Sequence, residues 1–437
     1  MISSSTTHIM KMLTLVFICI HSLIILKSSS AYTIPSWSSF EKSLIGPSDR
    51  PGLFDSALQY PKEPPFSEEK PTFFRERHGW CPYSERVWLA LEFKGIDYDT
   101  VLIDNTGPGR KPGWYGGNTP QMRWPESNSR QSESMDLVHE LDNRYPDTPA
   151  LYVDGVEERI SAFRSVFPRG ARPSSRAAFL FSWSGEPLFR TEFERVLQDT
   201  DDLLGESDGP FFCGDNFSAA DVAWAPFLER YAAQLPCLHE NLNPRDASLY
   251  PNLFAWYEAM YAIPAYACRV KGDASSWRKV LNMAGFGNVG TPPTILSRID
   301  DANKAEQFAS SIDGDDSSVG LLWDEYSESR PFVAKSASAE AAATICRNRE
   351  AIARDIAKNA PLKLKNLDAD LIDESLRALM YLLTEDNAKE EEEVLIKDVP
   401  YVTDLACFLD KRMCVPRDMG ALSAKAIKHI AGLILTD

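Results

Sequence analysis

A strand candidate that runs through a tight turn into a cysteine-started helix constrains this chain more than any other stretch. Residues 72 to 77, TFFRER, read as a strand, and His78-Gly79-Trp80 as a turn. Cys81-Pro82-Tyr83-Ser84 then opens a helix. Tyr83, Val87, Ala90 and Leu91 recur at helical spacing, while Glu85, Arg86, Glu92 and Lys94 fill the other face. Pro82 suits the first helical position, where no amide donor is needed, and Gly95 suits the stop. This spacing predicts Cys81 at the N-cap, where unpaired backbone amides and the positive end of the helix dipole favour thiolate over thiol. The expectation is a nucleophile at neutral pH, with a pKa below the free value of about 8.5. His78 reads first as an exposed loop histidine, and Trp80 and Tyr83 as packing beside the turn.

After this helix, Tyr98, Thr100 and Leu102 alternate as a second strand. Lys111-Pro112-Gly113-Trp114 starts an irregular segment, and Thr119-Pro120-Gln121-Met122 opens a third strand. Ser132 to Ser134 then precede Met135, Leu137, Val138 and Leu141, the inner face of another helix. A βαβ unit followed by ββα is the pattern of a thioredoxin-like domain. Three landmarks stand in order within about 55 residues: Trp80-Cys81-Pro82-Tyr83 with Arg86-Val87, then Thr119-Pro120, then Glu133-Ser134. Together they resemble the N-terminal domain of glutathione transferases. The likeness is strongest to the cysteine-containing classes (omega, lambda, dehydroascorbate reductase), and the stretch is also similar to glutaredoxin.

That resemblance implies definite roles. Cys81 would form a mixed disulfide with glutathione, the co-substrate. Pro120 would be a cis proline, and the Thr119 backbone would pair with the cysteinyl part of glutathione. Glu133 and Ser134 would hold the γ-glutamyl end at a helix N-terminus, where a hydroxyl and open amides suit a carboxylate. Lys111 would pair with the glycine carboxylate. Two departures matter. Ser84 stands where a dithiol glutaredoxin carries its second cysteine, so glutathione itself must resolve any mixed disulfide. The third strand reads Thr-Pro-Gln-Met rather than the usual Val-Pro-Val-Leu, which alters the adjacent pocket.

Residues 174 to 285 are rich in helical repeats. Phe189, Phe193, Val196, Leu197 and Leu204 form one apolar stripe. Ser218-Ala219-Ala220-Asp221 is a Ser-x-x-Asp capping box before an apolar helix. It resembles the hallmark of the all-helical domain of glutathione transferases, where its part is in folding. Arg190, Glu194, Trp224, Phe227 and Tyr231 are read as core or surface before any role in a second-substrate pocket. Cys213, Cys237, Cys268, Cys346, Cys407 and Cys414 read as small buried hydrophobes.

Beyond about residue 290 the resemblance ends. Thr291-Pro292-Pro293 marks a boundary and SSIDGDDSS a loop. Helical stripes follow at Ile345, Ile352 and Ile356, at Ile372, Leu376, Leu379 and Leu383, and at Leu422, Ile427, Ile430 and Ile434. Glu390 to Glu393 form a solvated acidic run.

At the other end, Met12 to Leu26 is an apolar run preceded by Lys11 and followed by Ser28-Ser29-Ser30-Ala31, the form of a secretory signal peptide. The run is shorter than the roughly 20 apolar residues that a bilayer span requires. The Ser-rich stretch after it, with an aromatic near its start, resembles the two-part plastid presequences of algae with secondary plastids. A plastid destination is expected, with secretion as the alternative.

The expected organisation is a signal peptide over 1–30 and a transit peptide or linker over 31–70. A thioredoxin-like glutathione-binding domain over 71–150, an all-helical transferase domain over 155–285 and a helical extension over 290–437 follow. The 63 acidic against 46 basic residues, a net charge of −17, argue against phosphate-backbone binding as the main function, because such binding needs a basic face. No Cys/His cluster has zinc spacing, so no metal site is expected. The leading function is glutathione-dependent thiol transfer or reduction on a single cysteine, with a small oxidised or electrophilic substrate and a homodimer left open as the assembly. The alternatives are a non-enzymatic glutathione-fold module and conjugation of glutathione to electrophiles.

Overall fold

The computed structural model describes residues 33–45, 62–63, 66–105, 110–168, 170–172, 178–284, 286, 289–312, 317–384 and 399–433. The signal-peptide segment 1–30, the Glu390–Glu393 run and Ile434 lie outside the described residues.

Strand β1 (Thr72–Glu76) is the hub of a four-stranded mixed sheet. It runs parallel to β2 (Asp99–Ile103), with Thr72 opposite Asp99 and Glu76 opposite Ile103. On its other side β3 (Gln121–Arg123) is antiparallel, and β4 (Arg130–Ser132) pairs antiparallel with β3, giving the order β2-β1-β3-β4. All five residues of β1 are buried, as befits a central strand covered on both faces. The alternation of the strand sends Phe73 into one core with Val87, Leu91, Met122 and Leu141, and Phe74 into another with Val101, Ile103 and Tyr115. Helix α1 (Pro82–Phe93) packs on α2 (Ser134–Arg144) across one face. This is the expected thioredoxin-like domain.

An all-helical domain follows: α3 (Val156–Val166), α4 (Arg190–Gly205), α5 (Ala219–Leu238) and α6 (Pro251–Tyr261). The capping box at α5 is complete. The Ser218 hydroxyl accepts from the Ala220 amide, and the Asp221 carboxylate accepts from the Ser218 amide at 2.9 Å and from Trp256 Nε1 at 2.9 Å. One stripe residue departs from expectation. Phe189 precedes α4 on extended backbone and is 82% exposed, because the helix begins one residue later and leaves it off the apolar face.

Among the described residues the longer helices that continue the chain are α7 (Ala274–Ala284), α8 (Pro293–Ile312), α9 (Ser317–Glu328), α10 (Ala337–Asn359), α11 (Ala369–Thr384), α12 (Val402–Arg412) and α13 (Ala421–Gly432). Ile345, Ile356, Leu376, Leu379, Leu383, Ile427 and Ile430 share a second hydrophobic core, as their spacing implied. Ile352 and Ile372 pack at its margin. Within the stretch expected as transit peptide or linker, Trp37–Phe40 and Glu41–Ile45 are helical and docked on this second core. Phe40 is buried there, Trp37 Nε1 donates to Asp373, and Glu41 pairs with Arg349 at 2.8 Å. An aromatic pair at helical spacing supplied an apolar face that the Ser-rich composition hid. Among the described residues no helix is long and apolar enough to cross a membrane.

Candidate active site

Cys81 is the N-cap of α1, with extended backbone (φ −77°, ψ 110°) and Pro82 behind it at the first helical position. The placement is the expected one, but the electrostatics reverse the expectation. The residue is only 4% exposed. Burial pushes the thiol up, and the Glu76 charge adds to the effect. The Ser84 hydroxyl and the amides of Ser84 and Tyr83 pull the other way without prevailing, and Cys81 forms no cap hydrogen bond with them. Instead the thiol donates to the Thr119 carbonyl at 3.7 Å, a contact that favours its protonated form. Here burial outweighs the helix N-terminus.

The loop before Cys81 is organised by Glu76, the last residue of β1. Its carboxylate accepts from the His78 and Trp80 amides at 2.9 Å each and meets His78 Nδ1 at 2.6 Å. The His78 ring stacks on Trp80 with centroids 4.6 Å apart. His78 is therefore a half-buried partner of Glu76 rather than an exposed loop histidine.

Opposite Cys81, the Thr119–Pro120 peptide bond is cis and introduces β3. The Thr119 hydroxyl accepts from Asn105 at 2.7 Å, an anchor that the sequence pattern did not point to. Lys111 stands on the loop leading to this strand, its Nζ donating to the Gly117 carbonyl at 2.6 Å.

Glu133 and Ser134 sit at the start of α2. Glu133 has φ 72°, a left-handed conformation uncommon outside glycine, and its side chain is exposed. Such a conformation costs of order 1–3 kcal/mol and is found where the surroundings hold it in place. Ser134 is buried and accepts from Arg86 at 3.4 Å. Arg86 also donates to the Ala223 carbonyl at 2.9 Å and lies 4.8 Å from the Phe163 ring centre. Burial lowers its pKa to about 10, which still leaves the guanidinium charged at neutral pH. Arg86 thus ties the cysteine helix to Ser134 and to the helical domain. Its neighbour relation was visible in sequence, its bridging part was not. A cavity of about 450 Å³ opens beside it, lined also by Asp136, His139, Tyr152 and Arg164, and Cys81 is not on its wall.

Beneath the loop lies a buried charge cluster. Arg230 of α5 pairs with Glu85 of α1 at 2.8 Å and donates to the Trp80 carbonyl at 3.3 Å. Glu229 accepts from Tyr266 at 2.9 Å and from the Gly272 amide at 3.3 Å. Burial, then the proximity of Glu85, raises Glu229 far above the usual carboxylate range, and burial also raises Glu85 despite Arg230. Arg190 and Glu194 pair with each other on the surface, while Trp224, Phe227 and Tyr231 are core.

The family described as glutathione S-transferase, N-terminal domain matches residues 80–169, and that described as glutathione S-transferase, C-terminal domain matches residues 157–259. Glutathione S-transferase L3 of Arabidopsis thaliana is 30% identical over 192 residues, 43% of this chain and 77% of that protein. Glutathione S-transferase L2, chloroplastic, of the same plant is 29% identical over 198 residues, again 43% of this chain, and only 62% of that relative's length is spanned. The probable glutathione S-transferase DHAR1, cytosolic, of Oryza sativa subsp. japonica is 29% identical over 192 residues, 42% of this chain and 81% of that protein. Helices α7 to α13 lie beyond both matched family segments.

Proposed function

The chain belongs to the glutathione transferase family, and we propose that it is a glutathione-dependent thiol transferase or reductase working through a mixed disulfide on Cys81. One observation carries this reading: the Cys81 sulfur faces the Thr119 carbonyl from a helix N-terminus, with Ser84 in the place of a second cysteine. A cysteinyl backbone laid along Thr119 in the manner of an added strand brings its own sulfur toward Sγ. Such pairing occupies the Thr119 carbonyl and takes from the Cys81 thiol the acceptor that favours its protonated form. Lys111, Glu133 and Ser134 are the proposed holders of the two charged ends of glutathione.

The reaction then balances in two exchanges. The Cys81 thiolate attacks the glutathionyl sulfur of a mixed disulfide, the sulfur–sulfur bond breaks, and the substrate leaves as a thiolate that takes up a proton. A second glutathione thiolate attacks the Cys81–glutathione disulfide, releasing oxidised glutathione and restoring Cys81. A small oxidant such as dehydroascorbate would draw the same two electrons from two glutathiones.

Intact mass after incubation with oxidised glutathione, with the modified residue mapped, tests this. One glutathionyl group on Cys81 is expected, and modification confined to other cysteines would overturn it. The closed, protonated thiol favours one second reading, a glutathione-fold module without turnover. Bound glutathione with no adduct and no turnover would select it. For destination, the Met12–Leu26 run and the relative named as chloroplastic support plastid delivery. A fluorescent fusion to residues 1–70 that is secreted instead would reverse that.

A further inference from the structure

Trp80 is where the catalytic loop meets three other parts of the chain. Its ring packs with Ala233 of α5, with Trp277 and Val280 of α7, and with Cys414 of the extension. Its Nε1 donates to Cys414 Sγ at 3.0 Å. Beside it, Gly79 adopts φ 73° and lies so near the extension that a Cβ there would stand 3.4 Å from the Arg417 amide nitrogen and 3.7 Å from Pro416 Cδ. The turn thus faces Pro416 and the Arg417 backbone across a gap that a methyl group would fill.

The segment it faces is itself anchored. The Val415 amide donates to the Ser276 hydroxyl at 2.9 Å, Arg269 donates to the Pro416 carbonyl at 3.2 Å, and the Cys414 amide donates to Asp418 at 2.8 Å. A Cβ on Gly420 would fall 1.7 Å from the Cys268 carbonyl oxygen, which leaves that stretch one seating on the helical domain. Burial works against the Arg417 charge, but Asp418 and, farther out, Glu76 sustain it. Glu76 is the carboxylate that gathers the loop amides, so a cation of the extension acts on the organiser of the loop.

We propose that residues Cys414–Asp418 form a wall of the catalytic loop, acting as positioning residues that hold Gly79–Cys81 closed and set how readily Cys81 reacts. The proposal rests on the reading of Cys81 as the reactive thiol. It gives the extension a part in the chemistry although it lies outside both matched family segments. Deleting the indole contact or displacing the wall admits water to a cysteine that is otherwise 4% exposed.

The test uses the full chain and iodoacetamide, with Cys81 alkylation followed by peptide mass across pH. Cys414→Ala deletes the contact, and Gly420→Ala pushes the segment off Cys268. Each should alkylate Cys81 about threefold or more faster at pH 7, with the pH midpoint moved down, because burial is what opposes the anion. Combining Trp80→Phe with Cys414→Ala should add nothing beyond the larger single effect, since both remove one contact. The exposed Lys363→Ala, elsewhere in the extension, should leave the profile unchanged. If Gly420→Ala fails to fold, Cys414→Ala decides alone. A rate and midpoint equal to wild type, or a slower rate, in folded Cys414→Ala overturns the proposal. Failure of oxidised glutathione to modify wild-type Cys81, with alkylation still accelerated in the variants, overturns the thiol-transfer reading and leaves this one standing.

Discussion

The Cys81 thiol hydrogen-bonds to the Thr119 carbonyl at 3.7 Å, so the proposed nucleophile and the segment proposed to pair with glutathione occupy each other in the resting protein. Burial raises the thiol pKa and the helix-start amides do not recover it. The alkylation midpoint of Cys81 should therefore lie above the ordinary value of about 8.5, the thiolate fraction rising tenfold for each pH unit below it. Adding S-methylglutathione, which pairs with Thr119 without forming a disulfide, should lower that midpoint. Alkylation rate against pH with and without this analogue decides it, and a midpoint below 8.5 in the unliganded protein would contradict the closed site.

Cys81→Ser separates thiol transfer from conjugation. A serine hydroxyl is not ionised near neutral pH and forms no disulfide, so reduction of a glutathionylated substrate should vanish. The same change puts a hydroxyl where conjugating relatives keep one, so turnover of an aryl halide should survive or rise. Both activities are measured on wild type and variant. Equal loss of both would mean that Cys81 matters only for packing.

Glutathione affinity should depend on the start of α2. Glu133→Ala or Ser134→Ala removes a group proposed to hold a charged end of glutathione. A charge-assisted bond is worth roughly 1.5–3 kcal/mol, so Kd should rise about tenfold or more. Ser134 also receives Arg86, so Arg86→Lys should weaken binding in the same sense by loosening the Ser134 hydroxyl. Calorimetry reads all three, and unchanged affinity throughout would remove α2 from the site.

Much of the local structure around the candidate site, and of the fold, was legible because its landmarks are local. An N-cap cysteine with proline behind it, a Thr-Pro before a strand and a Ser-x-x-Asp box each announce themselves within four residues. What was hidden depends on contacts far apart in the chain. Trp80 meets Cys414 across 334 positions, and Arg86 meets Ala223 across 137. The sign of the Cys81 shift failed for the same reason: the helix terminus is a local feature, while burial is imposed by the whole fold. Phe189 failed by a single position, since one residue beyond a helix end abandons its stripe.

The buried acids should make stability depend on pH in a way that one substitution removes. Glu229 and Glu85 are raised above their unfolded values, so the folded state binds protons that the unfolded chain gives up near pH 4.3. Their contribution is present below that pH and is lost as pH rises through the folded values. Glu229→Gln keeps the acceptor for Tyr266 and Gly272 and offers Glu85 a donor without titrating. It should match wild type near pH 4 and exceed it in Tm near pH 8. Melting curves at the two pH values suffice, and a lower Tm for the variant near pH 8 would mean that Glu229 is held ionised.

Lys428 should be the residue on which the extension and the helical domain stand or fall together. Its ammonium lies 3.2 Å from Asp273, 2.9 Å from Asp410 and 2.8 Å from the Ser275 hydroxyl, with the residue 7% exposed. Burial works against this cation, yet Asp273 and Asp410 hold its pKa above the ordinary lysine value. Burial likewise opposes the Asp273 carboxylate, and Lys428 and Ser276 hold it below the usual range. Lys428→Met leaves the buried Asp273 and the partly buried Asp410 without this cation, a loss of about 3–5 kcal/mol where the pair is fully charged. The raised lysine keeps its contribution until pH rises through its folded value, and the depressed aspartate keeps its own until pH falls through its folded value. The full effect therefore spans roughly pH 4 to pH 10 and shrinks in stronger acid. Urea unfolding at pH 7 and at pH 3, followed by tryptophan fluorescence, measures it. Trp277 of α7 and Trp37 against the second core report from the two sides, and in wild type they should unfold in one transition. A loss below about 1 kcal/mol at pH 7, the scale of an exposed ion pair, would show that the two cores are held together elsewhere.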